Sequence, residues 1–311
     1  MIDKVRNFIV SNNLIPSGNN KLYAAVSGGI DSCVLLHILY SLREEFGYEL
    51  KIAHFNHKTR GTENLKDAEF VSGLAKNYNL PIKIGQYSGV LVKKSEGFLR
   101  EQRYKFFNSV LKENRNTLIA TAHNSDDNVE TFLMRLARGS RLKGLIGITP
   151  RRGSFIRPLL SIDRKQIEYY AKENDILFRE DSTNKDNSIT RNLVRNKLIP
   201  AIEESFGNNL KKNVLKIMDD LTLHYVLYTE QLQQAIKQTI KSSKYGLTLN
   251  RNSYQDYNVP VRRGLIEYCI SSVQPLNYGI SNKSFVLWDE FVLTASPGKK
   301  NNIFEAGYAL A

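Results

Sequence analysis

The sequence predicts an α/β fold: a parallel sheet covered by helices on both faces, then a helical linker and a small C-terminal domain, α-rich or mixed. Three observations lead there. Short apolar, β-rich runs alternate with helical patterns through the first half, as β-α-β crossovers require. A glycine pair, Gly28-Gly29, separates the first such run from the helix after it. Beyond Pro158 the strand-like runs give way to helical spacing.

KLYAAV (Lys21 to Val26) predicts the first strand, and Ser32 to Phe46 the helix that follows. Leu50 to Phe55 predicts a second strand and Asp67 to Tyr78 its helix. PIKIGQY, from Pro81, is a third strand, and Phe98 to Glu113 is an amphipathic helix. TLIATA (Thr117 to Ala122) is a fourth, with a helix from Asp126 to Leu136. Ligands of such sheets bind at the C-terminal strand ends, near the point where strand order reverses. Helices are then expected over Asp163 to Asn174 and Asn187 to Ile199, with one long polar helical stretch from Glu203 to Lys241. Past Lys244 the pattern is short and mixed, with turn signals at Tyr245-Gly246, Gln274-Pro275 and Pro297-Gly298. The expected division is a large domain over 1–205, a helical linker over 206–244 and a small domain over 245–311.

Composition narrows the class. With 41% hydrophobic and 24% charged residues the chain reads as globular. No apolar run approaches the roughly 18 residues of a membrane span. The N-terminus spaces Ile2, Val5, Phe8 and Ile9 helically among charges, unlike the unbroken apolar core of a secretory signal. Cys33 and Cys269 stand alone, which excludes a disulfide scaffold, a Cys-x-x-Cys pair and a cysteine-rich metal site. A reducing cytoplasm is the expected location. The net charge of +13 suggests a polyanionic partner, although surface lysines alone would also raise it. Placement favours the partner. Arg135, Arg138, Arg141, Lys143, Arg151, Arg152, Arg157 and Arg164 share a segment whose single acid is Asp163. Arginine suits bidentate phosphate contacts, so nucleic acid is the leading expectation.

The loop Ser27-Gly28-Gly29-Ile30-Asp31-Ser32 falls where backbone N–H groups and a helix dipole bind anions. Its glycines let a phosphate approach the backbone, and Ser27 and Ser32 add hydroxyl donors. Asp31 would repel phosphate unless a cation such as Mg²⁺ bridges the two, which implies a metal–nucleotide complex. The plain alternative is an ordinary strand–helix turn with Ser32 as its N-cap. Neither the Walker pattern nor G-x-G-x-x-G occurs, which argues against γ-phosphate transfer and dinucleotide binding.

SGGIDS after a strand resembles the pyrophosphate loop of the N-type ATP pyrophosphatases, a family with a Rossmann-like PP-loop domain. That resemblance implies cleavage of ATP between its α and β phosphates and adenylation of a substrate oxygen. AHFNHKTRG (Ala53 to Gly61), EGFLREQRYKFF (Glu96 to Phe107) and the segment Thr121 to Ile148 are similar to the tRNA(Ile)-lysidine synthetase family. RPLL (Arg157 to Leu160), EDSTN (Glu180 to Asn184) and RNLVRNKLIP (Arg191 to Pro200) continue the likeness over roughly residues 20 to 200. The chain looks like a short member, lacking the second C-terminal domain of longer ones.

The resemblance implies adenylation of C2 of the wobble cytidine in a CAU-anticodon tRNA(Ile), then attack by the amine of free L-lysine. It implies ATP and Mg²⁺, no membrane association, and leaves a homodimer open. By motif position, Ser27, Gly28, Gly29, Ile30, Asp31 and Ser32 hold ATP and pyrophosphate. Asp31 and Asp127 are the Mg²⁺ candidates. Asp127 and Glu130, at i and i+3, match the paired acids that hold lysine or take its proton. Without the resemblance they read as a solvated first helical turn. Arg103 matches an arginine suited to the α-phosphate, against the plain reading of a surface side chain. His123 matches a position near the nucleotide. Arg138, Arg141, Arg151, Arg152, Arg191 and Arg195 are the tRNA candidates. His54 and His57 have metal-pair spacing but no third ligand nearby, so a zinc site is not expected. Asn124 stands where a histidine is common and Asn128 where a glutamine is common; His57-Lys58-Thr59-Arg60 also departs from the family pattern. Three rivals are a sulfur-transferring relative, which would need reactive cysteines, a tRNA-binding protein with a dead pocket, in which the intact acids would be unexplained, and a small-molecule amidotransferase-type relative, which would not need the Arg135 to Arg164 cluster.

Overall fold

The computed structural model describes residues 1–18, 20–57, 62–87, 89, 96–113, 116–179, 190–243, 246–273, 280–304 and 307–310. The EDSTN stretch at 180–184, the helix start at 187–189, Lys58 to Arg60, Tyr245 and Gln274-Pro275 lie outside the described residues.

Helix α1 (Ile2–Ser11) leads into strand β1 (Asn20–Ala25) and helix α2 (Ile30–Phe46). Strand β2 (Tyr48–Asn56), helix α3 (Thr62–Asn77), strand β3 (Ile82–Gln86), helix α4 (Glu96–Glu113) and strand β4 (Thr117–Ala120) repeat the pattern. Helices α5 (Ser125–Ala137) and α6 (Leu142–Leu145) precede a hairpin of β5 (Arg151–Arg152) and β6 (Phe155–Ile156). Among the described residues the sheet has six strands in the order β3-β2-β1-β4-β6-β5, parallel except for the β5–β6 pair. The short hairpin was not expected from the sequence. It turns at Gly153, whose φ of +59° suits glycine.

Alternation along β1 explains the layers. Leu22 and Ala24 face a core with α2 residues Val34, Leu35, Ile38 and Leu39, joined by Val5 and Ile9 of α1. Tyr23 faces the opposite core, with Ala53, Ile119 and the α4 residues Phe107 and Val110. Helix α2 is buried along most of its length and ends at Gly47, whose φ is +64°. Strand order reverses between β1 and β4, so the loops leaving these two strands diverge and leave a crevice between them. This crevice positions the site.

Helix α7 (Arg164–Glu173) carries a capping box from Asp163 and Gln166. Helix α8 (Thr190–Leu193) passes through a π-helical stretch, Val194–Leu198, into α9 (Ile199–Phe206). The single stretch expected over Glu203 to Lys241 is two helices. Gly207, with a φ of +91°, ends α9, and α10 (Leu210–Thr239) starts afresh.

The chain separates into two compact units, Met1–Asp219 and Asp220–Ala311. The second holds a hairpin of β7 (Ile240–Ser243) and β8 (Gly246–Leu249), then helices α11 (Arg251–Gln255), α12 (Val259–Val273) and α13 (Asn282–Thr294). A last hairpin pairs β9 (Lys300–Phe304) with β10 (Gly307–Leu310). Its core gathers Ala235, Tyr254, Leu265, Ile266, Phe285 and Trp288, so the expected α-rich or mixed composition is found.

Candidate active site

The loop after β1 turns at Gly28, whose φ of +97° strains any L side chain. Gly29 is the extended N-cap of α2, so the helix begins at Ile30 and not beyond Ser32. The Ile30 and Asp31 N–H groups at its start have no carbonyl acceptor within the helix, whereas Ser32 N donates to the Gly29 carbonyl at 3.0 Å. Ile30 sends its side chain into the core and offers only backbone. The serine hydroxyls shape the loop. Ser32 Oγ donates to the Gly29 carbonyl at 2.8 Å and accepts from Ser27 N at 3.1 Å, while Ser27 Oγ lies 3.2 Å from Ser32 Oγ. Arg179 N donates to the Gly28 carbonyl at 2.9 Å.

Asp31 points across the crevice. Its Oδ1 accepts from Asn124 Nδ2 at 3.0 Å and its Oδ2 from an Arg164 guanidinium nitrogen at 2.6 Å. Burial nevertheless raises its carboxyl above the usual range. Asn124 is also the N-cap of α5, in a reciprocal capping box with Asp127 at 3.0 Å each way. One side chain therefore links the loop after β1 to the acids after β4.

Glu130 is buried and Asp127 half-buried, unlike the first-turn acids of a solvated helix. Glu130 is 1% exposed. It accepts from Arg191 Nε at 2.7 Å and from Arg195 Nε at 2.6 Å. Asp127 Oδ1 accepts from Arg191 at 3.0 Å and from Arg195 at 3.4 Å. Burial raises the Asp127 carboxyl against the pull of Arg191. Asp126, beside them, is paired with Lys211 and accepts from Arg164 N at 2.8 Å. Asn128 serves structure: its Oδ1 accepts from Ile148 N at 2.7 Å.

His123 Nδ1 lies 2.9 Å from Thr121 Oγ1. Burial holds its pKa well below the usual histidine range, and Arg157, Arg100, Arg191 and Arg103 push it the same way. The imidazole is neutral at physiological pH. Arg103, half-buried on α4, is thereby placed within electrostatic reach of His123.

The structure gathers the loop, Asp31, Asp127, Glu130, His123 and Arg103 at the C-terminal ends of β1 and β4. The tRNA candidates divide. Arg138 and Arg141 are exposed on the turn after α5, and Arg151 and Arg152 are exposed on the hairpin, with Arg151 also donating to the Asn13 carbonyl at 3.0 Å. Arg191 and Arg195 sit on the acids. The sequence reading placed Arg164 only in the arginine-rich segment and missed its pairing with Asp31, the role of Lys211 and the bridging by Asn124. Each acts across more than eighty residues of chain, and no local spacing announces such a pairing. Cys33 donates to the Gly28 carbonyl at 3.3 Å, and burial pushes its thiol up to about 12. Cys269 is pushed up to about 11 by the same cause.

Comparisons with known proteins agree with this geometry. A family model described as a PP-loop domain matches residues 2–202. A tRNA(Ile)-lysidine synthase of Caldanaerobacter subterraneus subsp. tengcongensis is 34% identical over 288 residues, 90% of this chain and 62% of that protein. The tRNA(Ile)-lysidine synthase of Clostridium perfringens is 36% identical over 82% of this chain and 56% of its own length. That of Thermosipho africanus is 40% identical over 66% of this chain and 48% of its own. The chain thus spans about half to three-fifths of these relatives. Among solved structures, a U34-tRNA thiolase from Methanococcus maripaludis superposes with a TM-score of 0.56 at 18% identity, covering 72% of this chain and 78% of that one, a likeness of fold. With a matching domain across residues 2–202, well over half of its length, and the glycine loop at the switch point of its sheet, this chain belongs to the PP-loop family.

Proposed function

We propose that this protein ligates L-lysine to C2 of the wobble cytidine of a CAU-anticodon tRNA(Ile), consuming ATP and releasing AMP and pyrophosphate. The product base decodes AUA in place of AUG, and charging changes from methionine to isoleucine. The observation that carries this reading is the Asp31–Asn124–Asp127 chain, which links the acids of α5 to the phosphate loop.

In this scheme the first-turn N–H groups of α2 hold the departing pyrophosphate. Arg103 neutralises charge at the α-phosphate while the cytidine oxygen is adenylated, which turns a poor leaving oxygen into a good one. Asp127 and Glu130 bind the lysine amino group in competition with Arg191 and Arg195, and one of them takes the proton as nitrogen attacks C2. His123, neutral, orients the reacting groups through hydrogen bonds. The carboxylate oxygens of Asp31 and Asp127, linked through Asn124, are donors of the kind Mg²⁺ takes, in exchange for their ion pairs with Arg164 and Arg191. Mg²⁺ bound there would neutralise phosphate charge.

The same reading gives the chemistry to residues 1–205, makes 206–244 a linker and assigns 245–311 to tRNA contact, in the cytoplasm. Sulfur transfer is disfavoured because both thiols are held protonated by burial. The test is incorporation of radiolabelled lysine into a CAU-anticodon isoleucine tRNA transcript with ATP and Mg²⁺. Wild type should incorporate it, and Asp127→Asn should lose at least a hundredfold, the scale of a positioned acid–base group. ATP cleavage to AMP and pyrophosphate without lysine incorporation would point to a different nucleophile.

A further inference from the structure

Arg157 is a buried cation that meets no acid among the described residues. It is 5% exposed, NH1 donates to the Thr149 carbonyl at 2.8 Å, and its buried Nε has no partner. Arg164, Arg179, Arg191 and Arg195 each meet a carboxylate, whereas Arg157 meets none among the described residues. Burial acts most strongly against its charge, Tyr104 offsets that in part, and Arg100 and Arg152, of its own sign, add to it. A guanidinium taken out of water without a counter-charge is costly unless an anion completes it.

Tyr104 supplies the geometry. Its hydroxyl accepts from Arg100 NH2 at 3.3 Å, and Arg157 approaches the same oxygen. With guanidinium donors on its lone pairs, the hydroxyl proton is left to donate outward. The ring is fixed against Phe155, with centroids 5.0 Å apart, and the Arg100 guanidinium lies 4.9 Å from its centroid. Arg157 leaves β6 directly after Ile156, which pairs with Ala120 of β4, so this cluster sits at the same sheet end as His123.

We propose that Arg100, Tyr104 and Arg157 bind a backbone phosphodiester of the RNA substrate beside the reacting base. This rests on the reading that the substrate is RNA. A nucleotide phosphate is the other source of the same chemistry, and position argues against it. The phosphate loop follows β1, two strands from β6 and therefore roughly 10 Å away at ordinary strand spacing. The exposed Arg151 and Arg152 of the adjoining hairpin extend the positive surface along the sheet edge, as an extended polyanion needs.

The test uses the full chain with Arg100→Gln and Tyr104→Phe. Arg100 is exposed, and Phe keeps the ring packing, so both variants should fold. Affinity for a CAU anticodon stem-loop RNA is measured at several salt concentrations, with ATP affinity measured separately without RNA. Each variant is expected to bind RNA about tenfold more weakly, the effect of one charge-assisted hydrogen bond. Arg100→Gln should also flatten the slope of log affinity against log salt by about 1. ATP affinity should not move. Unchanged RNA affinity overturns the inference, as does a loss of ATP affinity equal to the loss for RNA. Wild type that binds the RNA through these residues yet ligates no lysine would leave the phosphate site standing and remove lysidine formation.

Discussion

Glu130 is the side chain with most depending on it. Its carboxylate is held between Arg191 and Arg195, at shorter distances than Asp127, which shares both cations at 3.0 and 3.4 Å. Glu130→Gln is expected to lower unfolding stability by about 2–3 kcal/mol in urea titrations, less than a fully enclosed pair because Arg195 keeps 40% of its side chain in solvent. Asp31 should behave oppositely. A carboxyl whose pKa is raised by folding contributes stability below its unfolded value and loses it as pH rises through the folded one. Asp31→Asn is therefore expected to equal wild type in stability below about pH 4 and to exceed it at pH 7, while ATP cleavage is lost. Urea melts at the two pH values check the sign, and a variant less stable at pH 7 would show that the Arg164 ion pair outweighs burial.

At the scale of elements, Asn124 does two jobs that substitution can separate. Asn124→Ala removes the α5 cap and should cost about 1 kcal/mol. Asn124→Ser keeps a capping oxygen but is too short to bridge to Asp31, so stability should survive while lysine incorporation falls. Equal activity of Ser and Asn variants would deny the bridge any function. Strands β1, β2 and β4 were legible because long apolar runs and period-two packing mark them. The β5–β6 hairpin was not, since two-residue strands are too short to show alternation. The break at Gly207 escaped because a polar run on both sides masks a single positive-φ residue.

For the whole molecule, the net charge of +13 predicts a steep electrostatic component to RNA binding. Raising salt from about 50 to about 200 mM should weaken tRNA affinity on the order of a thousandfold, as for a protein that neutralises half a dozen phosphates. Filter binding across that range measures it, and a flat response would reassign the basic surface to simple solvation.

By itself the sequence determined the parallel α/β unit, the glycine loop after the first strand and the arginine-rich segment, because period, glycine placement and charge are local properties. It also singled out Asp31, Asp127, Glu130, His123 and Arg103 by their resemblance to known motifs. Only the tertiary structure decided what these residues face. That Asn124 bridges two loops, that Arg191 and Arg195 cover the acids, and that Arg157 lies buried with no carboxylate on it among the described residues all follow from strand order, which brings chain-distant segments to one crevice.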